Sequence, residues 1–84
     1  MKYTLLMLRR AQKGLAELPK SDYERMRDAL EYLAEEPRPT GCKKLTGRSG
    51  WRIRSGDYRA IYDIDDERKT ITILDVSHRR NIYM

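Results

Sequence analysis

Apolar residues recur along this chain with two different periods, and the change from one to the other separates its elements. Tyr3 to Met7 (Y-T-L-L-M) is a short unbroken apolar run, the pattern of a strand buried on both faces near the middle of a sheet. Leu8, Ala11, Leu15 and Leu18 then fall at offsets of three, seven and ten, one stripe of a helix that Gly14 weakens and Pro19 stops. Ser21-Asp22-Tyr23-Glu24 has the capping-box form, in which the serine oxygen and the glutamate carboxylate each satisfy an orphaned backbone donor. It opens a second helix with Tyr23, Met26, Leu30 and Leu33 on its apolar face, ended by Glu35-Glu36-Pro37-Arg38-Pro39. The two helices form a hairpin able to cover one face of a sheet.

Past Pro39 the period falls to two. Gly41 to Gly50 reads as a loop with a short extended piece at Lys43 to Leu45. In Trp51 to Ser55 (W-R-I-R-S) the apolar side chains go to one face of a strand and both guanidinium groups to the other. Ser55-Gly56-Asp57 supplies a turn, and Tyr58, Ala60, Tyr62 and Ile64 alternate with Arg59, Ile61 and Asp63 in a returning strand. Alternation puts Arg59 on the face of Ile61, so one of them belongs at the sheet margin, or twist or a bulge near Gly56 reconciles them. Asp65 to Lys69 is a charged turn, and Thr70 to Val76 (T-I-T-I-L-D-V) is a further strand. The order β-α-α-β-β-β predicts an α+β fold. It is a small, mostly antiparallel twisted sheet covered by an N-terminal helical hairpin, with residues 1–84 as one domain.

Charge adds a direction to this outline. Eighty-four residues support one core of marginal stability, and 18 Lys plus Arg against 13 Asp plus Glu give a net charge of +5. That sign favours nucleic acid, an anionic membrane surface or an acidic protein. The surplus is local: Lys43, Lys44, Arg48, Arg52, Arg54 and Arg59 stand against the single acid Asp57. Cys42 is the only cysteine, which excludes an intrachain disulfide and a cysteine metal cluster and fits a reducing cytoplasm. Met1 to Leu8 runs into Arg9-Arg10 and is too short for a signal peptide or a membrane span, so no membrane partner is expected. From Ser77 onward (S-H-R-R-N-I-Y-M) the chain collects His78, Arg79, Arg80 and Tyr83. If the last strand lies beside the arginine hairpin, this tail emerges near Arg52, Arg54 and Arg59.

Lys43 to Gly47 (K-K-L-T-G), W-R-I-R-S-G-D-Y-R-A-I-Y and I-L-D-V-S-H-R-R-x-x-Y (Ile73 to Tyr83), in this order and spacing, resemble the RelE/ParE family of type II toxins, in particular its RelE-like branch. The resemblance spans nearly the whole chain. It implies a small α/β toxin that cuts messenger RNA in the ribosomal decoding site without metal or other cofactor. It also implies silencing by an antitoxin encoded beside it and, through the antitoxin, contact with DNA. Residue by residue, Arg52 and Arg54 match the two basic strand positions of the family and Arg59 the phosphate-holding arginine. Arg79 matches the C-terminal catalytic arginine, and Tyr83 the tyrosine that stacks on or positions a base.

The chemistry agrees with that reading. Cutting RNA requires a proton taken from the ribose 2′-OH, stabilisation of charge on the pentacoordinate phosphorus, and a proton given to the 5′-oxygen. Arginine forks suit the middle task. The best-known RelE-like toxin has lysines where this chain has Arg52 and Arg54, and arginine cannot give up its proton, so His78 becomes the better candidate for general base, with Tyr83 the alternative. An unperturbed imidazole titrates at about 6.5, near neutral pH, whereas an unperturbed phenol, near ~10, is a poor base unless neighbouring arginines stabilise its phenolate. The chain stops one residue after Tyr83, so the C-terminal helix of some members is not expected. Lys43, Lys44, Arg48 and Arg80 read as contacts to the RNA backbone. Trp51, Tyr58 and Tyr62 read as core and Cys42 as a bystander. Two alternating arginines alone are a solvated sheet face; three of them, with Arg79 at the end of a neighbouring strand, make a site. Two other readings fit: a non-catalytic ParE-like inhibitor of DNA gyrase, and a basic RNA-binding module without chemistry.

Overall fold

A computed structural model of the chain describes residues 2–78. Over that span the elements are β1 (Thr4–Met7), α1 (Arg9–Ala16), α2 (Lys20–Tyr32), β2 (Lys43–Lys44), β3 (Trp51–Ser55), β4 (Tyr58–Asp65) and β5 (Thr70–His78). The strands form one sheet in the order β1-β5-β4-β3-β2, antiparallel except for the parallel β1/β5 pair. The expected α+β architecture is present, and the extended piece near Lys43 joins the sheet as a further, two-residue strand.

β1 is not a central strand. It lies at an edge, paired with β5 alone, and its apolar run divides: Leu5 and Met7 pack on the core while Leu6 is 52% exposed. A short apolar run has no period with which to tell these two placements apart. The first helical stripe holds in Ala11 and Leu15, both buried, with Leu18 packed beside them, whereas Leu8 precedes α1 as its N-cap. Gly14, a poor helix former, proves to be the point where α1 rests on β5. A Cβ at Gly14 would collide with the Val76 carbonyl oxygen, so the close approach depends on its having no side chain.

The capping box at Ser21 to Glu24 does not form. α2 starts earlier, at Lys20, with Pro19 as N-cap and no side-chain cap, and the Tyr23 amide donates to the Pro19 carbonyl at 2.8 Å. Pro19 has φ −55°, already set for a helix start, so Ser21 falls inside the first turn where it no longer caps. Met26, Leu30 and Leu33 are buried as their spacing requires. They meet Ile53, Ala60, Tyr62, Ile71, Ile73 and Val76 from the sheet in one core. Tyr62 lies wholly inside it, its hydroxyl donating to the Pro37 carbonyl at 2.8 Å, and burial pushes its phenol above the ordinary range.

The long β4/β5 pairing contains one irregularity. Tyr62 pairs with Ile73 but Ile61 pairs with Asp75, leaving Leu74 as an extra residue in β5. The bulge reverses the alternation: Ile71 and Ile73 face the helices before it, Val76 and His78 after it.

At the other end of β4, Asp66 ties three segments together. It accepts from the Tyr3 hydroxyl at 2.6 Å and from Arg38 at 2.9 Å, and the Arg38 guanidinium also lies over the Trp51 ring, 5.1 Å from its centroid. The hydrogen bond from Arg38, then that from Tyr3, holds the Asp66 carboxyl below the usual carboxylate range.

Gly14→Ala is expected to lower stability by about 2 kcal/mol in urea denaturation, because α1 must lift off β5. An exposed mid-helix glycine would instead gain up to about 1 kcal/mol from the same change. Asp66 ionises more readily folded than unfolded, so its contribution is full above the ordinary carboxylate pKa of about 4 and is lost as pH falls through the lower folded value. Asp66→Asn therefore flattens the acid side of the stability–pH curve, which thermal melts between neutral and acid pH will show.

Candidate RNA-phosphate site

A two-residue turn determines which arginines meet. Gly56 and Asp57 join β3 to β4, and Gly56 has φ 62°, the positive value that a type II′ turn demands at its first central position. Ser55 then lies opposite Tyr58, Arg54 opposite Arg59, and Arg52 opposite Ile61. Directly opposed residues share a face, so β2 to β5 carry two rows on the side away from the helices: Arg54, Arg59 and Ser77, and beside it Lys43, Arg52, Ile61 and Asp75.

Arg59 and Ile61 therefore do share a face, and neither sits at the margin. Ile61 is 2% exposed because the cationic face has a small apolar cluster of its own, Ile61 with Leu45, against which Leu74 packs. Alternation along β4 is regular here, and the irregularity in the pairing is the bulge in β5, not one near Gly56.

Two features of the first row are unfavourable for a resting protein. After a two-residue turn the closing pair is hydrogen-bonded and the next, here Arg54 with Arg59, is the kind in which opposed side chains come closest, so like charges repel. Arg54 Nε donates to the Gly56 carbonyl at 3.1 Å, but Arg59 Nε and Ser77 Oγ, opposed across β4 and β5, are buried without a hydrogen-bond partner among the described residues. An unmatched buried donor costs about 1–3 kcal/mol. An anion on this row offsets both terms, since it neutralises the repulsion and accepts from the guanidinium forks.

Lys43, Lys44 and Arg48 are exposed and, with Leu45, Thr46 and Arg52, line a cationic cavity of about 460 Å³ next to the second row. That setting suits contacts to a sugar–phosphate backbone. His78 does not share the sheet face of Arg52, Arg54 and Arg59. It pairs with Tyr58 on the helix side, its ring edge-on to the Tyr58 ring with centroids 5.5 Å apart, because the bulge has reversed the parity of β5. Ser77 takes the position on the arginine face instead, a residue for which the sequence offers no signal because the bulge is invisible in it. Arg79, Arg80 and Tyr83 lie outside the described residues. Trp51 packs against the core, as expected.

At low ionic strength, sulfate at ten times its dissociation constant should raise the melting temperature by about 5 °C beyond sodium chloride of equal ionic strength. Arg59→Gln should abolish that difference. Arg54→Thr, which removes the repulsion, should melt higher than the parent in the absence of sulfate.

Comparison with known proteins gives this face a context. Residues 5–83 match the family model described as the ParE toxin of type II toxin–antitoxin systems. Over 87 aligned residues the chain is 36% identical to toxin RelG of Mycobacterium tuberculosis, with 99% of this chain and 98% of RelG covered. The fold is similar to that of an archaeal RelE–RelB complex from Pyrococcus horikoshii, with 33% identity, TM-score 0.84, and coverage of 96% of this chain and 99% of that one. The RelBE2 toxin–antitoxin complex of M. tuberculosis gives 31% identity, TM-score 0.82, and coverage of 96% and 95%. With a family match over almost its full length and a relative above 30% identity, the chain belongs to the RelE/ParE family of type II toxin–antitoxin toxins.

Proposed function

We propose that the protein is a ribosome-dependent endoribonuclease that cuts messenger RNA in the decoding site, with the row Arg54, Arg59 and Ser77 receiving the scissile phosphate. The observation that carries this reading is the Arg54–Arg59 opposition together with the buried Arg59 Nε, unmatched among the described residues, both of which a bound anion would relieve. The 2′-oxygen attacks phosphorus in line, the bond from phosphorus to the 5′-oxygen breaks, and the products are a 2′,3′-cyclic phosphate and a 5′-hydroxyl. Arg54 and Arg59 stabilise the charge that builds on the equatorial oxygens, and Arg52 and Lys43 hold the neighbouring backbone. No metal is assigned a part.

Proton transfer needs another group, since arginine stays protonated. His78 faces the helices beside Tyr58, so the base role passes to Tyr83, whose phenolate the arginines would favour, with Arg79 supporting the transition state.

The protein is proposed to act in the cytoplasm under the control of a cognate antitoxin from an adjacent gene. Support comes from the RelB-bound state of the structural relatives and from the cationic face, which an acidic antitoxin segment complements. The family model named for ParE favours a second reading, a gyrase inhibitor without catalysis.

Purified protein added to programmed ribosomes should produce codon-dependent 5′ ends, and should leave gyrase supercoiling unaffected; the reverse pair of results selects the ParE-like reading. Arg59→Ala should cut at least about a hundredfold more slowly. His78→Ala should cut within a few-fold of the parent, and a loss as large as that of Arg59→Ala would return the proton-transfer role to His78.

A further inference from the structure

The cationic face ends in an open margin. β2 pairs with β3 only through Lys43 with Arg52 and Lys44 with Trp51, so among the described residues no strand lies along the outer edge of β3 beyond Arg52. A cavity of about 380 Å³ lies against this stretch, bounded by Ile53 and Arg54, by Ala29 and Tyr32 of α2, and by the Pro39-Thr40-Gly41 loop. Ile53 is an apolar floor, and Arg54 belongs at once to this wall and to the arginine row. Tyr32, the last residue of α2, is 55% exposed and is the one aromatic among the large exposed apolar side chains of the described residues. Hairpin alternation also turns the Arg54 amide and carbonyl outward, toward the open edge.

We infer that this cavity is a nucleobase subsite for single-stranded RNA, an inference that rests on the reading of the arginine row as an RNA-phosphate site. A strand whose phosphate lies on Arg54 and Arg59 has a base within reach of the β3 edge. Turned over that edge, the base stacks on the Tyr32 ring above Ile53, and its polar rim meets the outward amide and carbonyl of Arg54. The chemistry is that of single-stranded RNA recognition in general: cations track the backbone while an aromatic ring takes an unstacked base. A stacked ring tolerates every base, since each has a π-face, so the subsite adds grip more than sequence choice. Of the three large exposed apolar side chains, Leu6 lines a smaller cavity with Arg27 and Glu31, and Leu8 precedes Arg9 and Arg10, both at the opposite margin of the sheet; Tyr32 alone of the three lines a cavity shared with the Arg54–Arg59 row.

The test uses labelled 2′-O-methyl hexauridylates, which cannot be cut, each carrying one abasic position, with binding read by fluorescence anisotropy at low salt. For the parent, one abasic position should weaken binding about tenfold. Tyr32→Ala should bind the intact strand about tenfold more weakly and be indifferent to that position, while Tyr32→Phe, which keeps the ring, should stay within about twofold of the parent. A parent insensitive to every abasic position, or a Tyr32→Ala protein with the parent's abasic profile, overturns the proposal. Ribosomes programmed with an abasic codon separate the two sources of the base. If cutting by the parent drops with the abasic message but cutting by Tyr32→Ala does not drop further, the base is the message's; an equal Tyr32→Ala defect on both messages assigns it to ribosomal RNA. A parent that cuts messages on programmed ribosomes yet shows no abasic dependence rejects the subsite alone, whereas a parent that cuts nothing but shows the dependence rejects the nuclease reading alone.

Discussion

One extra residue in β5 decides what each face of this molecule holds. Ile71 and Ile73 must point toward the helices to close the core, and strict alternation from there would bury Asp75 and Ser77 under α1 and turn Val76 out to water. The bulge at Leu74 and Asp75 corrects this by a single step, so Val76 reaches the core and meets α1 at Gly14, while Leu74 and Ile61 settle on the other side. Core closure, helix docking and the composition of the cationic face are thus one geometric event.

The two faces divide the work between them. The helix side carries the apolar burial, from Ile53 to Val76, that a domain of 84 residues needs to fold. The other side accepts opposed arginines and an unmatched donor, terms that a fold selected for stability alone would avoid. Because Ile61 and Leu45 seal the sheet beneath the charges, the guanidinium groups act from a low-dielectric base and attract an anion more strongly than exposed cations would. The tight turn at Gly56 keeps them opposed whether or not a ligand is present, so little reorganisation accompanies binding.

Much of this was readable from residue order. The helical stripes, the alternation of Trp51 to Tyr62 and the turn at Gly56 are local patterns with local causes, and they placed Arg52, Arg54 and Arg59 on one face correctly. What failed was non-local. The run Tyr3 to Met7 is equally consistent with a centre or an edge, and only its parallel pairing to β5 decides. Gly14 read as a weakness because its partner, the Val76 carbonyl, is sixty-two positions away in the chain. Ser21 lost its capping role to Pro19, a competing start signal two residues earlier. His78 went to the other face because a bulge has no signature of its own: T-I-T-I-L-D-V reads as smooth alternation up to the residue where it stops being so. Tyr32 drew no notice, since a tyrosine at the end of an amphipathic helix acquires meaning only from the strand edge it overlooks.

The sheet's two margins are unlike, and this bears on how copies of the protein meet one another. At the β2 margin the strand is two lysines long, so a second copy approaching strand to strand would bring Lys43 and Lys44 against the same charges and find only the short open stretch of β3 beyond Arg52 to pair with. At the β1 margin the strand is four residues long, uncharged, and shows Leu6 to solvent. Self-association is thereby blocked on the side that bears the arginines and left open on the side that does not. Crowding at the β1 margin leaves the arginine face uncovered.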